Sequence, residues 1–188
     1  MNSFRVKNIS IEFETKPDLF SPKGLDMGSE LLLSCLPKFE YTTALDWGCG
    51  WGAISLWLAK NDPKAKITAL DSDIAAVKAT QQNATINEIT NLQVFASHSY
   101  DEIPKSYNFD LIVSNPPTHR GREIIESMIV ESKDRLSEGG VILLVVEARI
   151  KPWVARQLKA SFGDYKIVKR SRKHVVVMSH SGIQNHLC

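Results

Sequence analysis

Ala44-Leu45-Asp46-Trp47-Gly48-Cys49-Gly50-Trp51-Gly52, running into Ala53-Ile54-Ser55-Leu56-Trp57-Leu58-Ala59, is the stretch that decides the fold of this chain. A short apolar run, a glycine-rich turn and an apolar-periodic segment read as strand, loop and helix start. Glycines there permit positive φ and let a ligand approach the backbone with no Cβ in the way. Gly48, Gly50 and Ala53 fit the GxGxxG/A fingerprint of dinucleotide sites, a weak signal alone. Asp46 argues against it, because a carboxylate ahead of the first glycine would repel a pyrophosphate but would hold an ammonium group. The third glycine, Gly52, gives GxGxG spacing instead.

Nineteen residues beyond Gly52, Asp71 ends the strand-like Lys66-Ile67-Thr68-Ala69-Leu70. An acidic residue at that strand tip is placed to bind the two hydroxyls of a ribose. The other reading is a helix N-cap, a role open equally to Ser72 or Asp73. A third signal lies downstream, where Phe109-Asp110-Leu111-Ile112-Val113-Ser114 runs into Asn115-Pro116-Pro117. Two prolines end a strand, and the residue before a proline is held extended. Asn115 is thus expected at the C-terminal edge of a parallel strand, the edge where open α/β sheets bind ligands. An Asn side-chain carbonyl beside a proline carbonyl offers two fixed acceptors and no general base. Such a pair suits an NH2 group whose lone pair is to attack; the alternative is a rigid loop after a buried strand.

An ammonium-bearing ribonucleoside without phosphate describes S-adenosylmethionine. Asp46-x-Gly48-x-Gly50-x-Gly52, Asp71 and Asn115-Pro116-Pro117, in that order, resemble the class I S-adenosylmethionine-dependent methyltransferases. More closely, the chain resembles the methyltransferase small domain group, which includes ribosomal RNA small-subunit guanine-N2 methyltransferases. Phe20-Ser21-x-x-Gly24-Leu25-Asp26-x-Gly28-Ser29 and Asn115-Pro116-Pro117-x-His119-x-Gly121 carry that closer likeness. The resemblance implies a Rossmann-like α/β fold: a doubly wound, mostly parallel seven-stranded sheet, with a C-terminal antiparallel hairpin and a short N-terminal β extension. It implies one methyltransferase domain over 1–188, with N-terminal strands and a leading helix in 1–40, a catalytic core in 41–180 and a tail in 181–188.

The activity implied is methyl transfer from S-adenosylmethionine to an exocyclic amine of an RNA base, N2 of guanine in small-subunit rRNA being favoured. Asn115, Pro116 and Pro117 would form the catalytic loop. Asp46, Gly48, Gly50, Gly52, Asp71, Ser72, Ser97, Asn115 and Gly28 would surround the cofactor. Phe20, His119, Trp153, Arg172 and Lys173 are the candidates for substrate contact. His119 would touch substrate, take the released proton or simply hold the loop. Trp153 would stack on the base or belong to the core at the start of a helix. Two departures from the pattern stand out: Thr118 replaces the usual aromatic after the second proline, and His98 replaces Asn or Asp at the third strand tip. Two other readings remain open: methylation of a protein glutamine, and a non-catalytic module that binds cofactor or RNA.

Composition sets the frame. A chain of 188 residues with 43% hydrophobic and 23% charged residues is an ordinary globular mixture that can bury a core. There is no apolar run long enough for a membrane span and no signal-peptide pattern, which points to a cytoplasmic protein. Cys35, Cys49 and Cys188 lack metal or disulfide spacing, so neither metal nor membrane is expected. A net charge of +2 is too small to argue for nucleic acid. Its distribution says more: Arg149 to Lys173 holds nine Lys or Arg against one acid, Asp164, densest at Lys169-Arg170-Ser171-Arg172-Lys173. That run is either a solvated surface or a contact for RNA, from rRNA or the ribosomal subunit or from tRNA.

Alternation of apolar segments predicts helix 26–36, strand 42–47, helix 52–61, strand 66–71, helix 73–86 and strands 91–96 and 109–114. Helix 121–137, strand 140–147, helix 151–161 and strands near 164–169 and 173–179 follow. One or two short strands are expected within 5–15, covering the cofactor side.

Overall fold

The computed structural model describes residues 2–19, 21–22, 24–117 and 121–182. Its elements alternate as the apolar pattern demands. A hairpin of β1 (Asn2–Val6) and β2 (Ile9–Phe13) precedes α1 (Met27–Leu33), β3 (Thr43–Trp47), α2 (Ala53–Asn61), β4 (Lys66–Asp71), α3 (Ile74–Ile86) and β5 (Leu92–Ala96). Then come β6 (Phe109–Ser114), α4 (Arg122–Ser132), β7 (Leu136–Glu147), α5 (Lys151–Phe162), β8 (Lys166–Arg170) and β9 (His174–His180).

Seven strands form one sheet in the order β5-β4-β3-β6-β7-β9-β8. The first five are parallel, and β9 inserts antiparallel between β7 and β8. Both faces are covered, so strand residues divide strictly by parity. Leu45, Ile112, Ile142 and Leu144 face α4 and α5, whereas Ala44, Leu111, Val113, Leu143 and Val145 pack with α1 and α2. The chain leaves β3 towards β4 and β5, then returns to place β6 on β3's other side. That reversal opens a crevice above the C-terminal ends of β3 and β6, the ligand-binding edge of a doubly wound sheet.

Two boundaries differ from the sequence expectation, for one reason. Helix α4 ends at Ser132 rather than 137, and β7 begins at Leu136 rather than 140. Phe109 N donates to Arg135 O at 2.9 Å, and Leu136 pairs with Phe109, so the sheet reclaims the chain early. The surplus residues bulge out before Val141 pairs with Leu111. Gly140 is required there, since a Cβ would lie 2.8 Å from Phe109 O and 2.9 Å from Ser137 O. Similarly, α1 stops at Leu33 and a 3-10 turn, Leu36–Lys38, carries Pro37 out of the helix.

The β1–β2 hairpin lies on α2 and α3, held by two asparagines that imitate a strand. Asn83 Oδ1 accepts from Glu14 N (2.8 Å), while its Nδ2 donates to Glu14 O and Trp51 O, both at 2.9 Å. Asn87 repeats the exchange with the Glu12 backbone. Phe13 stacks on Trp51 of the glycine loop with ring centroids 4.1 Å apart. The hairpin therefore clamps the outer side of that loop. None of the described helices is long and apolar enough to cross a membrane.

Candidate active site

The glycine loop leaves β3 by bonding across to β4. Gly48 N and Cys49 N both donate to Leu70 O, at 2.8 and 2.9 Å. Positive φ at Gly48 (79°) and Gly50 (57°) makes this turn, and an added Cβ at either meets no protein atom within 4 Å. Gly52 (φ 98°) caps α2 and is packed from behind, its missing Cβ 3.0 Å from Thr80 Cγ2.

Asp71 ties the loop to the next strand tip. Its Oδ2 accepts from Gly50 N and its Oδ1 from Asp73 N, both at 2.9 Å. The N-cap of α3 is Asp73, which accepts from Ala75 N at 2.8 Å, so Asp71 is not the cap. Asp46 differs from its expected place. It is fully buried beneath the loop, not on the pocket wall, and its Oδ2 accepts from Ser55 N at 2.9 Å. Its Oδ1 has no partner among the described residues, and burial, reinforced by the nearby Asp71 charge, pushes its pKa up to about 7. The same burial, with both carboxylates close by, raises the Cys49 thiol well above the ordinary range, which makes it a packing group.

Asn115 stands across the crevice, and α1 determines its orientation. Its Nδ2 donates to Asp26 Oδ1 (3.1 Å), Asp26 Oδ2 (3.3 Å) and Ser29 Oγ (3.0 Å). Both amide hydrogens are thereby engaged, leaving Oδ1 as the atom free to accept. Asp26 also N-caps α1 through Gly28 N and Ser29 N. Gly28 sits against this cluster rather than along the pocket. A Cβ there would lie 3.0 Å from Asp26 Oδ1 and 3.2 Å from Asn115 Nδ2.

Between these elements lies a cavity of about 570 Å³. Asn115, Pro117, Asp26 and Ser29 line one end, beyond β6; Gly48, Cys49, Gly50, Trp51 and Asp71 its middle; Ser72, Ser97 and His98 the other end, beyond β4 and β5. Among the described lining residues are six carboxylates (Asp18, Asp26, Asp71, Asp73, Glu123 and Glu131) and no Lys or Arg. A phosphate would be repelled here, and a ligand of net positive charge attracted. Trp47 Nε1 and Ser97 Oγ belong to lining residues and are buried without partners. Orphaned polar groups of this kind mark where a polar ligand completes the bonding.

Pro116 is buried, and Pro117, half-buried, is the proline of the pair that lines the cavity. Trp153 is not on the cavity: it packs half-buried against the α4–α5 core, with the Arg122 guanidinium 5.4 Å from its ring centre. That is the core placement, stabilised as a cation–π pair. Arg172 and Lys173 lie away from this cavity, at the tip of the β8–β9 hairpin. Phe20 and His119 lie outside the described residues. Sequence reasoning missed Asp26, Ser29, Glu123 and Glu131 as site residues. Asp26 had a signal, a capping residue ahead of a helix, but a cap does not announce a second partner 89 residues away.

A family model described as the methyltransferase small domain matches residues 10–178. The chain is 28% identical over 177 residues to YbxB of Bacillus subtilis, an uncharacterized protein, covering 93% of this chain and 88% of that one. It is 34% identical over 176 residues to ribosomal RNA small subunit methyltransferase C of Buchnera aphidicola, covering 91% of this chain and 53% of the relative. The counterpart from Serratia proteamaculans is 35% identical over 171 residues, at 88% and 48% coverage, so the chain spans about half the length of these curated relatives. Among solved structures it is similar to the T. thermophilus 16S rRNA N2 G1207 methyltransferase RsmC in complex with AdoMet and guanosine. There the TM-score is 0.88 and the identity 26%, covering 96% of this chain and 50% of that one.

Proposed function

We propose that this chain, which belongs to the methyltransferase small domain family, transfers a methyl group from S-adenosylmethionine to N2 of a guanine in small-subunit ribosomal RNA. The observation that carries the reading is Asn115: with Nδ2 bound to Asp26 and Ser29, its Oδ1 is left as an acceptor at the catalytic end of the cavity. The names of the relatives with ribosomal RNA activity support the same acceptor.

S-adenosylmethionine supplies a methyl group already activated by its sulfonium centre. The cavity fits that molecule, whose sulfonium, ammonium and carboxylate sum to one positive charge, because six carboxylates and no Lys or Arg are among its described lining residues. Asp71 would hold the ribose hydroxyls with the lone pairs left after its two backbone bonds. Gly48 and Gly50 would keep the loop open for close approach, and Ser72, Ser97 and Trp47 would meet the nucleoside. Asp46 would act through the loop: buried and bonded to Ser55 N, it orients the start of α2 beneath the glycines.

Asn115 Oδ1 and the Pro116 carbonyl would accept the two hydrogens of the guanine amine, turning its lone pair towards the methyl donor. The protein's contribution is then orientation, with no side chain required to pull a proton before the methyl moves. As the amine gains positive charge, the Asp26 carboxylate behind the Asn115 amide polarises Oδ1 and strengthens its grip. A protein glutamine presents the same NH2 geometry, so the identity of the acceptor is a matter for experiment.

The test combines calorimetry with S-adenosylhomocysteine and transfer of labelled methyl into small-subunit rRNA from cells lacking the gene. N2-methylguanosine on nucleoside mass spectrometry is expected. Label confined to protein would move the acceptor to glutamine, and absence of binding and transfer would reject the methyltransferase reading.

A further inference from the structure

The charged residues described along the catalytic cavity are carboxylates, yet the proposed acceptor is a polyanion. Those carboxylates disfavour its phosphates in the cavity, which calls for a second surface to hold them. A second groove, of about 430 Å³, lies on the outer side of α1. Met27, Leu31 and Ser34 form one wall, spaced to share one face of the helix. Lys169, Arg172 and Lys173 form the other, with Glu30 as the one acid among the described lining residues.

The hairpin turn sets the two cations at its tip. Ser171 N donates to His174 O at 2.8 Å and His174 N to Ser171 Oγ at 3.0 Å, so Arg172 and Lys173 project between the bonded ends. Lys169 bridges the groove, donating to Ser34 Oγ at 2.8 Å. Met27 leaves 58% of its surface exposed at the groove and so offers an apolar face to an occupant. It also follows directly on Asp26, the residue that holds Asn115. Helix α1 thus separates an acidic cavity on one side from a basic, partly apolar groove on the other.

We infer that this groove binds the single-stranded RNA flanking the target guanine. Lys169, Arg172 and Lys173 take its phosphates, and Met27 and Leu31 lie against a neighbouring base or ribose. The inference rests on the RNA reading of the catalytic cavity. Charge complementarity selects the occupant, because among the described lining residues three cations face one acid across a groove on the other side of α1 from the cavity. Apolar side chains next to cations suit unpaired nucleotides, whose base faces are accessible.

The experiment uses the full chain and a fluorescent single-stranded oligoribonucleotide containing one guanine, with affinity measured by anisotropy across a range of salt. The Lys169→Gln/Arg172→Gln/Lys173→Gln variant should bind it more weakly. Its slope of log affinity against log salt should be smaller by about 2, at roughly 0.7 for each single-strand phosphate that is no longer neutralised. Met27→Ala should weaken binding severalfold with the slope unchanged, since no charge is removed. Both variants should bind S-adenosylhomocysteine as the wild type does, which shows that they are folded. An unchanged slope in the triple variant would overturn the groove while leaving the cavity's function intact. Wild-type protein that binds S-adenosylhomocysteine but no RNA would reject the groove and the RNA acceptor together. Altered sedimentation with RNA affinity unchanged would assign the groove to self-association and overturn the proposal.

Discussion

Asp26 Oδ1 accepts from three N–H groups at once: Gly28 N at 2.8 Å, Ser29 N at 3.1 Å and Asn115 Nδ2 at 3.1 Å. One carboxylate oxygen thus starts a helix and fixes the rotation of an amide just past the end of β6, 89 residues away in sequence. The orientation of Asn115 follows from charge, because turning its Oδ1 towards Asp26 would set two acceptors face to face.

Asn115→Ala should leave S-adenosylhomocysteine affinity nearly unchanged and lower turnover by on the order of a hundredfold, as expected for one positioned polar group in an active site. Asn115→Asp should be no better, although a carboxylate could accept the amine's hydrogens. It would place a second carboxylate against Asp26 in place of the amide that donates to it. Single-turnover methyl transfer on both variants decides this. Appreciable activity in Asn115→Asp would mean that Asp26 does not orient residue 115.

Asp26→Asn separates the two duties of that carboxylate. Asn caps helices as well as Asp does, so stability should hold, while the polarising charge behind Asn115 is gone. Turnover should fall by about tenfold, worth about 1.4 kcal/mol, with KM for RNA unchanged. Asp26→Ala removes the cap too, costing about 1 kcal/mol. In a chain of this size that lowers the melting temperature by roughly 2–4 °C. If Asp26→Asn lost affinity and turnover in parallel, the role would be structural.

Asp46 governs a pH dependence. Its carboxyl is raised from 3.8 to about 7 in the folded protein, chiefly by burial. Between those values the folded protein holds a proton that the unfolded chain has released. Stability from this group is therefore present at acid pH, declines as pH rises through that window and is level above it. Asp46→Asn keeps an acceptor for Ser55 N and removes the titration, so its melting temperature should fall less than the wild type's between pH 4 and pH 7. Parallel profiles for the two proteins would show that Asp46 does not titrate there.

What the sequence revealed depended on the range of the interactions. Parallel strands, loop and helices were legible because each element carries its own apolar period and its own Gly or Pro punctuation, as around Gly48 and Asn115-Pro116. The start of β7 was not, since Leu136 is drawn into the sheet by Phe109, 27 residues earlier, and nothing local marks it. The candidate cavity was legible where backbone shape creates it, at the glycines and Asp71. Asp26, Ser29, Glu123 and Glu131 enter only because α1 and α4 fold against the strand ends. Trp153 left two readings open, a base platform or a core position, and the structure places it in the core, with Arg122 of a neighbouring helix over its ring.

Asp71 offers the most direct measurement of the cofactor site. Its two oxygens each hold one backbone N–H, from Gly50 and Asp73, and each retains a lone pair for a ribose hydroxyl. Asp71→Ala should weaken S-adenosylhomocysteine by roughly 1.5–3 kcal/mol, the range for hydrogen bonds to a charged group. Loss of loop order alone would produce a similar number, since Gly50 N would lose its acceptor. A ligand lacking the 2′-hydroxyl separates the causes. Wild-type protein should bind 2′-deoxy-S-adenosylhomocysteine more weakly than the parent compound, whereas Asp71→Ala should bind the two almost equally. If the variant kept the wild-type preference, Asp71 would serve only to tie Gly50 and Asp73 together, and the ribose would have to be held by other residues.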